Sequence, residues 1–276
     1  MMVPPVNRSL PGCRFSVIVP TLNEAALITD FLVHLREETP EAEIIVVDGG
    51  SHDQTAFLAS QHATCVLQSP PGRAKQMNAG AAVASGEVLW FLHADSLVPP
   101  DPLGSIALAL ADPTVVGGCF RLKFPRRQWI YRISDRLGNL AVDLFQIALG
   151  DHGIFCRQSA FARMSGYPDV PLMEDAELYR RLRCDGGRVR QLPAYIVSSP
   201  RRYERSGPLR TTAFYFVILF LYLVKVHPSK LQMIYRKLFG NEDLASEPMP
   251  SRPSQKPLVL GATDLRAENL SDKPTN

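Results

Sequence analysis

The chain has 276 residues, a formal net charge of +3, 46% hydrophobic residues and 21% charged residues. That length and apolar content suit one large α/β domain with an appendage, or two small domains. The nearly balanced charge gives no global polyanion signal, so nucleic acid is not an expected partner, and the five cysteines (Cys13, Cys65, Cys119, Cys156, Cys184) are odd in number and lack zinc or disulfide spacing.

Residues 1–14 are punctuated by Pro and Gly and lack the apolar core of a signal peptide. They read as a loose segment of a protein on the cytoplasmic side. Phe15–Val19 is a buried strand stopped at Pro20, and Thr21 or Asn23 is the expected cap of the following helix. Leu27, Ile28, Phe31, Leu32 and Leu35 fall on one stripe of that helix. Ile44–Val47 is a second buried strand. It ends in Asp48-Gly49-Gly50-Ser51, after which Asp53 and Thr55 open another helix. This β-α-β-α order predicts a parallel sheet with right-handed crossovers. Cys65–Leu67 is a short strand, and an Ala-rich helix over Arg73–Ser85 ends at Gly86.

Val88–Leu92 is an unbroken apolar run with aromatic and β-branched members, as in a strand buried on both faces. Polarity switches immediately after it, at His93 and Asp95. Asp101-Pro102 starts a helix to about Ala111, and Val115–Phe120 is a Gly-rich strand. A helix from about Gln128 to Leu149 is broken by Gly150-Asp151-His152-Gly153, followed by a strand over Ile154–Cys156. Gly166-Tyr167-Pro168 turns the chain into a helix opened by Glu174-Asp175 and stopped at Gly186-Gly187. Tyr195–Ser198 is the last expected strand.

Ala213–Val224 is wholly apolar but shorter than the ~20 residues of a membrane-spanning helix. It fits either a buried helix or a segment in the membrane interface. Ser229–Phe239 is amphipathic and basic, which favours a bilayer surface. From Asn241 onward six acids outnumber four bases, leaving the rest of the chain mildly basic, and the Pro- and Ser-rich composition reads as disordered. The expected organisation is therefore a loose segment 1–14, a domain 15–206, a helical membrane-associating segment 207–240 and a disordered tail 241–276.

Four polar points fall at strand ends or helix starts: Thr21–Glu24, Asp48–Ser51, His93–Asp95 and Glu174-Asp175. In a doubly wound sheet the carboxyl ends of parallel strands share one edge, so the three strand ends should meet in a cleft. An acid after the central strand, glycines that admit a close ligand and the basic helix start at Arg73 and Lys75 suit a nucleoside diphosphate with a divalent ion. Neither GxGxxG nor GxxxxGK[ST] occurs at these turns, which argues against NAD enzymes and P-loop ATPases.

Phe-Ser-Val-Ile-Val-Pro-Thr-Leu-Asn-Glu, Val-Val-Asp-Gly-Gly-Ser-His-Asp-Gln-Thr, Leu-His-Ala-Asp-Ser and Met-Glu-Asp-Ala-Glu-Leu resemble, in order, the blocks of family 2 glycosyltransferases with the GT-A fold. The resemblance covers about Phe15 to Arg205. Arg-Ala-Lys-Gln-Met-Asn-Ala-Gly and Gly-Asp-His-Gly-Ile-Phe-Cys-Arg look closest to small bacterial members of the arsenosugar or carotenoid-type group. It implies a mostly parallel, Rossmann-like sheet with flanking helices, Mg²⁺ or Mn²⁺ as cofactor, and inverting transfer from a nucleotide-diphosphate sugar, a UDP-sugar favoured. The acceptor would be a hydroxyl or carboxyl group of a lipid-like or small molecule, met at the inner membrane face. Pro20, Thr21, Asn23, Glu24, Asp48, Ser51, Arg73, Asn78, His93 and Asp95 would then form the nucleotide-sugar site, with Asp95 on the metal. Asp175, with Glu174 beside it, would be the general base, and Asp151 and His152 would border the acceptor.

Two positions depart from the family pattern. Gly49 stands where a second acid is usual, and His93 takes the first place of the usual Asp-x-Asp. His93 reads more readily as a core histidine with one hydrogen bond than as a metal ligand. Glu24, Glu174 and Asp175 also suit ordinary first-turn acids. The competing functional readings are a nucleotidyltransferase and a non-catalytic membrane-bound protein of the same fold.

Overall fold

The computed structural model describes residues 14–125, 128–184 and 186–239, so the expected tail and nearly all of the segment 1–14 lie outside the described residues. Seven strands form one sheet: β1 (Phe15–Thr21), β2 (Glu43–Asp48), β3 (Cys65–Gln68), β4 (Val88–Phe91), β5 (Val115–Lys123), β6 (Phe155–Arg157) and β7 (Arg188–Val197). Their order is β3-β2-β1-β4-β6-β5-β7. The strands pair in parallel except β6, which runs against both β4 and β5.

Period-two alternation sends the side chains of each strand to opposite faces. Val17, Val19, Ile44, Val46, Val88 and Trp90 face one layer, where they meet Ile28, Phe31, Leu32 and Leu35 of α1 (Ile28–Glu38) and Ile106 and Leu110 of α4 (Pro102–Leu110). The short α2 (Thr55–Ala59) joins that layer through Ala59. Ile18, Ile45, Val47, Leu89 and Phe91 face the other layer, against α3 (Arg73–Val83), α6 (Gln158–Arg163) and α7 (Glu174–Cys184). Both faces are covered, which is why the inner strands read as continuous apolar runs.

α5 (Trp129–Phe145), α8 (Arg201–Ser206), α9 (Pro208–Leu223) and α10 (Pro228–Phe239) pack beside this core. Phe214 and Ile218 of α9 bury against Leu231 and Tyr235 of α10 and against Ile147, Met173 and Ala176. The apolar run 213–224 thus covers the domain on one side, while Phe216, Val217, Phe220 and Val224 are exposed on the other. Among the described residues no helix is long and apolar enough to cross a membrane.

Several boundaries differ from the sequence reading. Neither Thr21 nor Asn23 caps α1. Thr21 is the last residue of β1, Asn23 adopts φ +55°, and the Glu24 carbonyl accepts the first bonds, from Leu27 and Ile28, both at 2.9 Å. α5 ends at Phe145 with Gln146 in the left-handed region rather than running to Leu149. The apolar pattern continues past it because Ile147 and Ala148 are buried in the loop itself. β7 begins at Arg188 rather than Tyr195. It is an edge strand in which Arg188 and Arg190 face solvent and Gln191 turns inward to Asn139 Oδ1 at 3.2 Å, so its first half lacks an apolar signature. Its register against β5 shifts between Leu192 and Tyr195, where Pro193 offers no N–H to a ladder.

Candidate functional site

β1, β2 and β4 end on one edge, and short-range bonds fix the turns that leave them. Asp48 is fully buried and accepts from the backbone N–H groups of Gly50 (3.1 Å) and Ser51 (2.9 Å), the Ser51 hydroxyl and Gln68 Nε2 (3.2 Å). Ser51 Oγ in turn accepts from Asn23 N–H at 2.8 Å, and Asn23 Oδ1 accepts from His52 N–H at 2.9 Å. The two turns therefore hold each other. Gln76 of α3, a residue the sequence reading passed over, ties them from below: its buried Nε2 donates to the carbonyls of Thr21 (2.9 Å) and Val47 (2.8 Å).

Gln76 also accounts for Gly49. A side chain at position 49 would begin 3.0 Å from Gln76 Nε2, so the amide occupies the space where the family's second acid would stand. Pro20, still within β1, pairs with Val47. The Asn78 amide brackets Tyr167, donating to the carbonyl at 2.9 Å and accepting from the N–H at 2.8 Å. It positions the Gly166-Tyr167 turn.

The third strand end carries two separate constellations. Asp95 Oδ2 accepts from Arg201 Nη2 at 3.1 Å, and Nη1 of the same guanidinium reaches Glu24 Oε2 at 3.1 Å. Arg201 was missed because it follows β7 far along the chain. A two-residue bridge between Leu97 and Val197 ties that end of β7 to the segment that follows β4. Burial raises the Glu24 pKa, although Arg201 offsets part of the cost. Among the described residues no three His, Cys, Asp or Glu side chains converge on a metal position.

The second constellation joins His93, Asp151 and Asp175. His93 Nδ1 bonds Asp151 Oδ1 at 3.0 Å, and Trp90 Nε1 donates to the Gly153 carbonyl at 3.2 Å, which pins the 150–153 turn to β4. A Cβ on Gly150 would lie 2.5 Å from His93 Nε2 and 2.6 Å from Asp175 Oδ2. Those two atoms are therefore close neighbours across a gap that only glycine leaves open. Glu174 and Asp175, both buried, occupy the first turn of α7, where the helix dipole favours carboxylates. Tyr167, also buried, turns its hydroxyl toward Asp175 without regular hydrogen-bond geometry.

The electrostatics follow from burial and neighbours. Desolvation holds Asp175 above its ordinary value against the lowering influence of His93 and Arg73. Desolvation raises Glu174 as well, and the Asp175 charge adds to it. For His93 burial opposes the charged form, but the bond to Asp151 and the nearby carboxylates outweigh it, so its pKa is raised. His152 is buried and pushed down to about 4, hence neutral. Arg73 is the exposed first residue of α3, and its charge acts on His93, Glu174 and Asp175. So the fourth polar point, on a helix, joins the three strand ends at one edge. A carboxylate held above its ordinary value by burial is a better proton acceptor than an exposed one.

Comparison with known proteins agrees with this architecture. A sequence model described as Glycosyl transferase family 2 matches residues 16–165. The chain is 30% identical over 166 residues to a PGL/p-HBAD biosynthesis glycosyltransferase of Mycobacterium bovis, covering 55% of this chain and 62% of that protein. It is 26% identical over 210 residues to an N-acetylglucosaminyltransferase of Rhizobium leguminosarum bv. viciae, covering 70% of this chain and 49% of that one. In each case the match spans less than two thirds of the relative. Among solved structures, the mannosyltransferase PcManGT from Pyrobaculum calidifontis in complex with GDP-Man and Mn²⁺ superposes with a TM-score of 0.59 at 24% identity, over 85% of this chain and 72% of that one. S. aureus TarS 1-349 in complex with UDP-GlcNAc gives 0.54 at 18% identity, over 83% and 72%. These likenesses establish the GT-A fold.

Proposed function

Since the chain belongs to glycosyl transferase family 2, we propose that it is an inverting transferase moving a sugar from a nucleoside diphosphate, a UDP-sugar favoured, to an acceptor hydroxyl. The observation that carries this reading is Asp175: a buried carboxylate with a raised pKa, beside His93, at the edge where β1, β2 and β4 end. Asp175 takes the proton of the acceptor hydroxyl as its oxygen attacks the anomeric carbon. Inversion needs no second catalytic carboxylate, so Glu174 serves to shape the first turn of α7 rather than share the proton. The turns Pro20–Glu24 and Asp48–Ser51 border the nucleoside, with Asp48 acting through the loop it holds. Arg73 lies where its charge meets the diphosphate.

The residues at the end of β4 fit a hard divalent ion in a limited way. One carboxylate, Asp95, offers oxygen donors, and such ions are often held by one or two carboxylates together with substrate phosphates. Bound there, Mg²⁺ or Mn²⁺ offsets charge on the departing diphosphate. Asp95 would hold the ion, and Arg201, which bonds its Oδ2 in the present arrangement, would share the carboxylate with it. The likeness to a neighbour in complex with GDP-Man and Mn²⁺ supports this reading.

The exposed apolar residues of α9 and the basic end of α10, Arg236 and Lys237, support peripheral attachment at the inner membrane face. The whole reading is tested by thermal unfolding with UDP or GDP, with and without Mn²⁺. A specific ligand raises the midpoint in proportion to its affinity. Stabilisation by a nucleoside diphosphate that Mn²⁺ enhances is expected; no shift with either nucleotide defeats the proposal.

A further inference from the structure

Beside the Asp151 turn lies a cavity of about 90 Å³ that the donor site does not use. Its walls are mostly apolar: Leu122 and Phe124 at the end of β5, Ala141 of α5, Leu149, and Phe216 and Leu219 of α9. Its polar members are Ser134, Asp151, His152, Thr212 and the tyrosines Tyr203 and Tyr215. Ser134 and Thr212 bond each other at 2.8 Å. Asp151 bonds His93. His152 is 2% exposed, accepts from Leu149 N–H at Nδ1 (3.4 Å), and so carries its proton on Nε2, which sits beside the Gly138 backbone with no hydrogen-bond partner.

We propose that this cavity is the acceptor subsite and that it takes the apolar end of an alcohol or phenol; the inference rests on the transferase reading above. Continuity argues for it. Asp151 lines the cavity and bonds His93, and His93 Nε2 and Asp175 Oδ2 meet at Gly150. A hydroxyl held at the Asp151 end of the cavity sits against the same 150–153 turn that faces the base. Chemistry argues for it too. A polyhydroxylated acceptor would bury most of its hydroxyls against apolar side chains, at a cost of about 1–3 kcal/mol for each one left unpaired. An apolar end carries no such penalty. The volume admits a few carbon atoms, against about 150 Å³ for a cavity that takes benzene, so a longer acceptor protrudes. It would emerge between α5 and α9, whose outer faces expose Leu140, Leu144, Phe216 and Phe220, a surface that suits a lipid tail. The acceptor oxygen forms a bond to the anomeric carbon, the bond from that carbon to the diphosphate oxygen breaks with its electron pair, and the hydroxyl proton passes to Asp175.

The test follows UDP or GDP release by the full chain from UDP-glucose, UDP-GlcNAc and GDP-mannose, with 4-propylphenol or geraniol in solution, farnesol in phosphatidylglycerol vesicles, or glycerol as acceptor. Apolar acceptors should raise release above the glycerol level, and a larger rise from vesicles than from solution identifies a lipid source. Ala141→Met, which fills the cavity, should raise KM for 4-propylphenol roughly tenfold or more, the worth of a methylene in an apolar pocket, with UDP affinity as the unchanged control. Leu219→Ala, which enlarges it, should shift preference toward geraniol and keeps the test open if the first variant fails to fold. Equal release with glycerol and the apolar alcohols, or folded variants with unaltered KM, overturns the cavity while leaving the transferase intact. No nucleotide binding and no release from any donor overturns both.

Discussion

Gly150→Ala probes the reacting centre with a single methyl group. Gly150 is buried and its φ lies outside the left-handed region, so alanine meets only a contact problem. Its Cβ would stand 2.5 Å from His93 Nε2, 2.8 Å from His93 Cε1 and 2.6 Å from Asp175 Oδ2, where ordinary contact begins at 3.4 Å. Neither neighbour moves freely, because Asp151 holds His93 and the first turn of α7 holds Asp175. The groups must part by about 1 Å, and misplacement on that scale costs about 10²-fold in turnover. Overpacking itself costs about 1–3 kcal/mol, which leaves a stable domain folded. The assay is kcat for transfer or donor hydrolysis, with urea unfolding and UDP affinity measured in parallel. UDP affinity should be retained, since the turns after β1 and β2 are untouched. A folded Gly150→Ala protein with wild-type kcat would refute the assignment of His93 and Asp175 to one reacting centre.

Further expectations concern the supporting structure. Gln76→Ala strips a donor from two buried carbonyls, of which that of Thr21 keeps the Gly49 N–H bond at 2.9 Å; it should lower urea stability by about 1–3 kcal/mol and weaken UDP binding, and unchanged stability would show that Gln76 does not tie the turns. Asp95→Asn should remove the Mn²⁺-dependent part of UDP binding, and equal Mn²⁺ enhancement in variant and wild type would clear Asp95 of metal binding. Asp135 is raised by burial to about 7, despite a 3.0 Å bond from Phe124 N–H. The folded state therefore holds a proton that the unfolded chain releases near pH 4, so this group lowers stability as pH rises from about 4 to about 7. Asp135→Asn should be relatively more stable than wild type at pH 8 than at pH 5 by chemical denaturation; equal differences at both pH values would contradict the burial argument.

Much of the fold was legible because burial on both faces leaves an unmistakable pattern. Val17–Val19, Ile44–Val47 and Leu89–Phe91 announce inner strands in a parallel sheet, and the polarity switches at Asp48 and His93 mark the edge where the site forms. What stayed hidden depended on partners distant in sequence. The first half of β7, Arg188-Val189-Arg190-Gln191-Leu192, breaks the polar–apolar alternation at Arg190-Gln191, and only pairing with β5 makes it a strand. Arg201 carried no local signal, since its significance lies in reaching Glu24 and Asp95. Asn78 lies in a stretch that resembles a family block, but its bonds to Tyr167, a partner far along the chain, carried no local signal. Gly49 and His93, departures in sequence, are met in the structure by Gln76 and Asp151.

The account stands most directly on turnover by Asp175→Asn, measured with the sugar nucleotide that gives the highest wild-type rate. Asparagine keeps the size of the side chain and removes the proton acceptor. The account predicts a product of inverted anomeric configuration from the wild type, a fall in kcat of roughly 10²–10⁴ in the variant, and donor affinity nearly unchanged, with Glu174→Gln costing less. A fully active Asp175→Asn enzyme, or a wild-type product that retains the donor configuration, would contradict it.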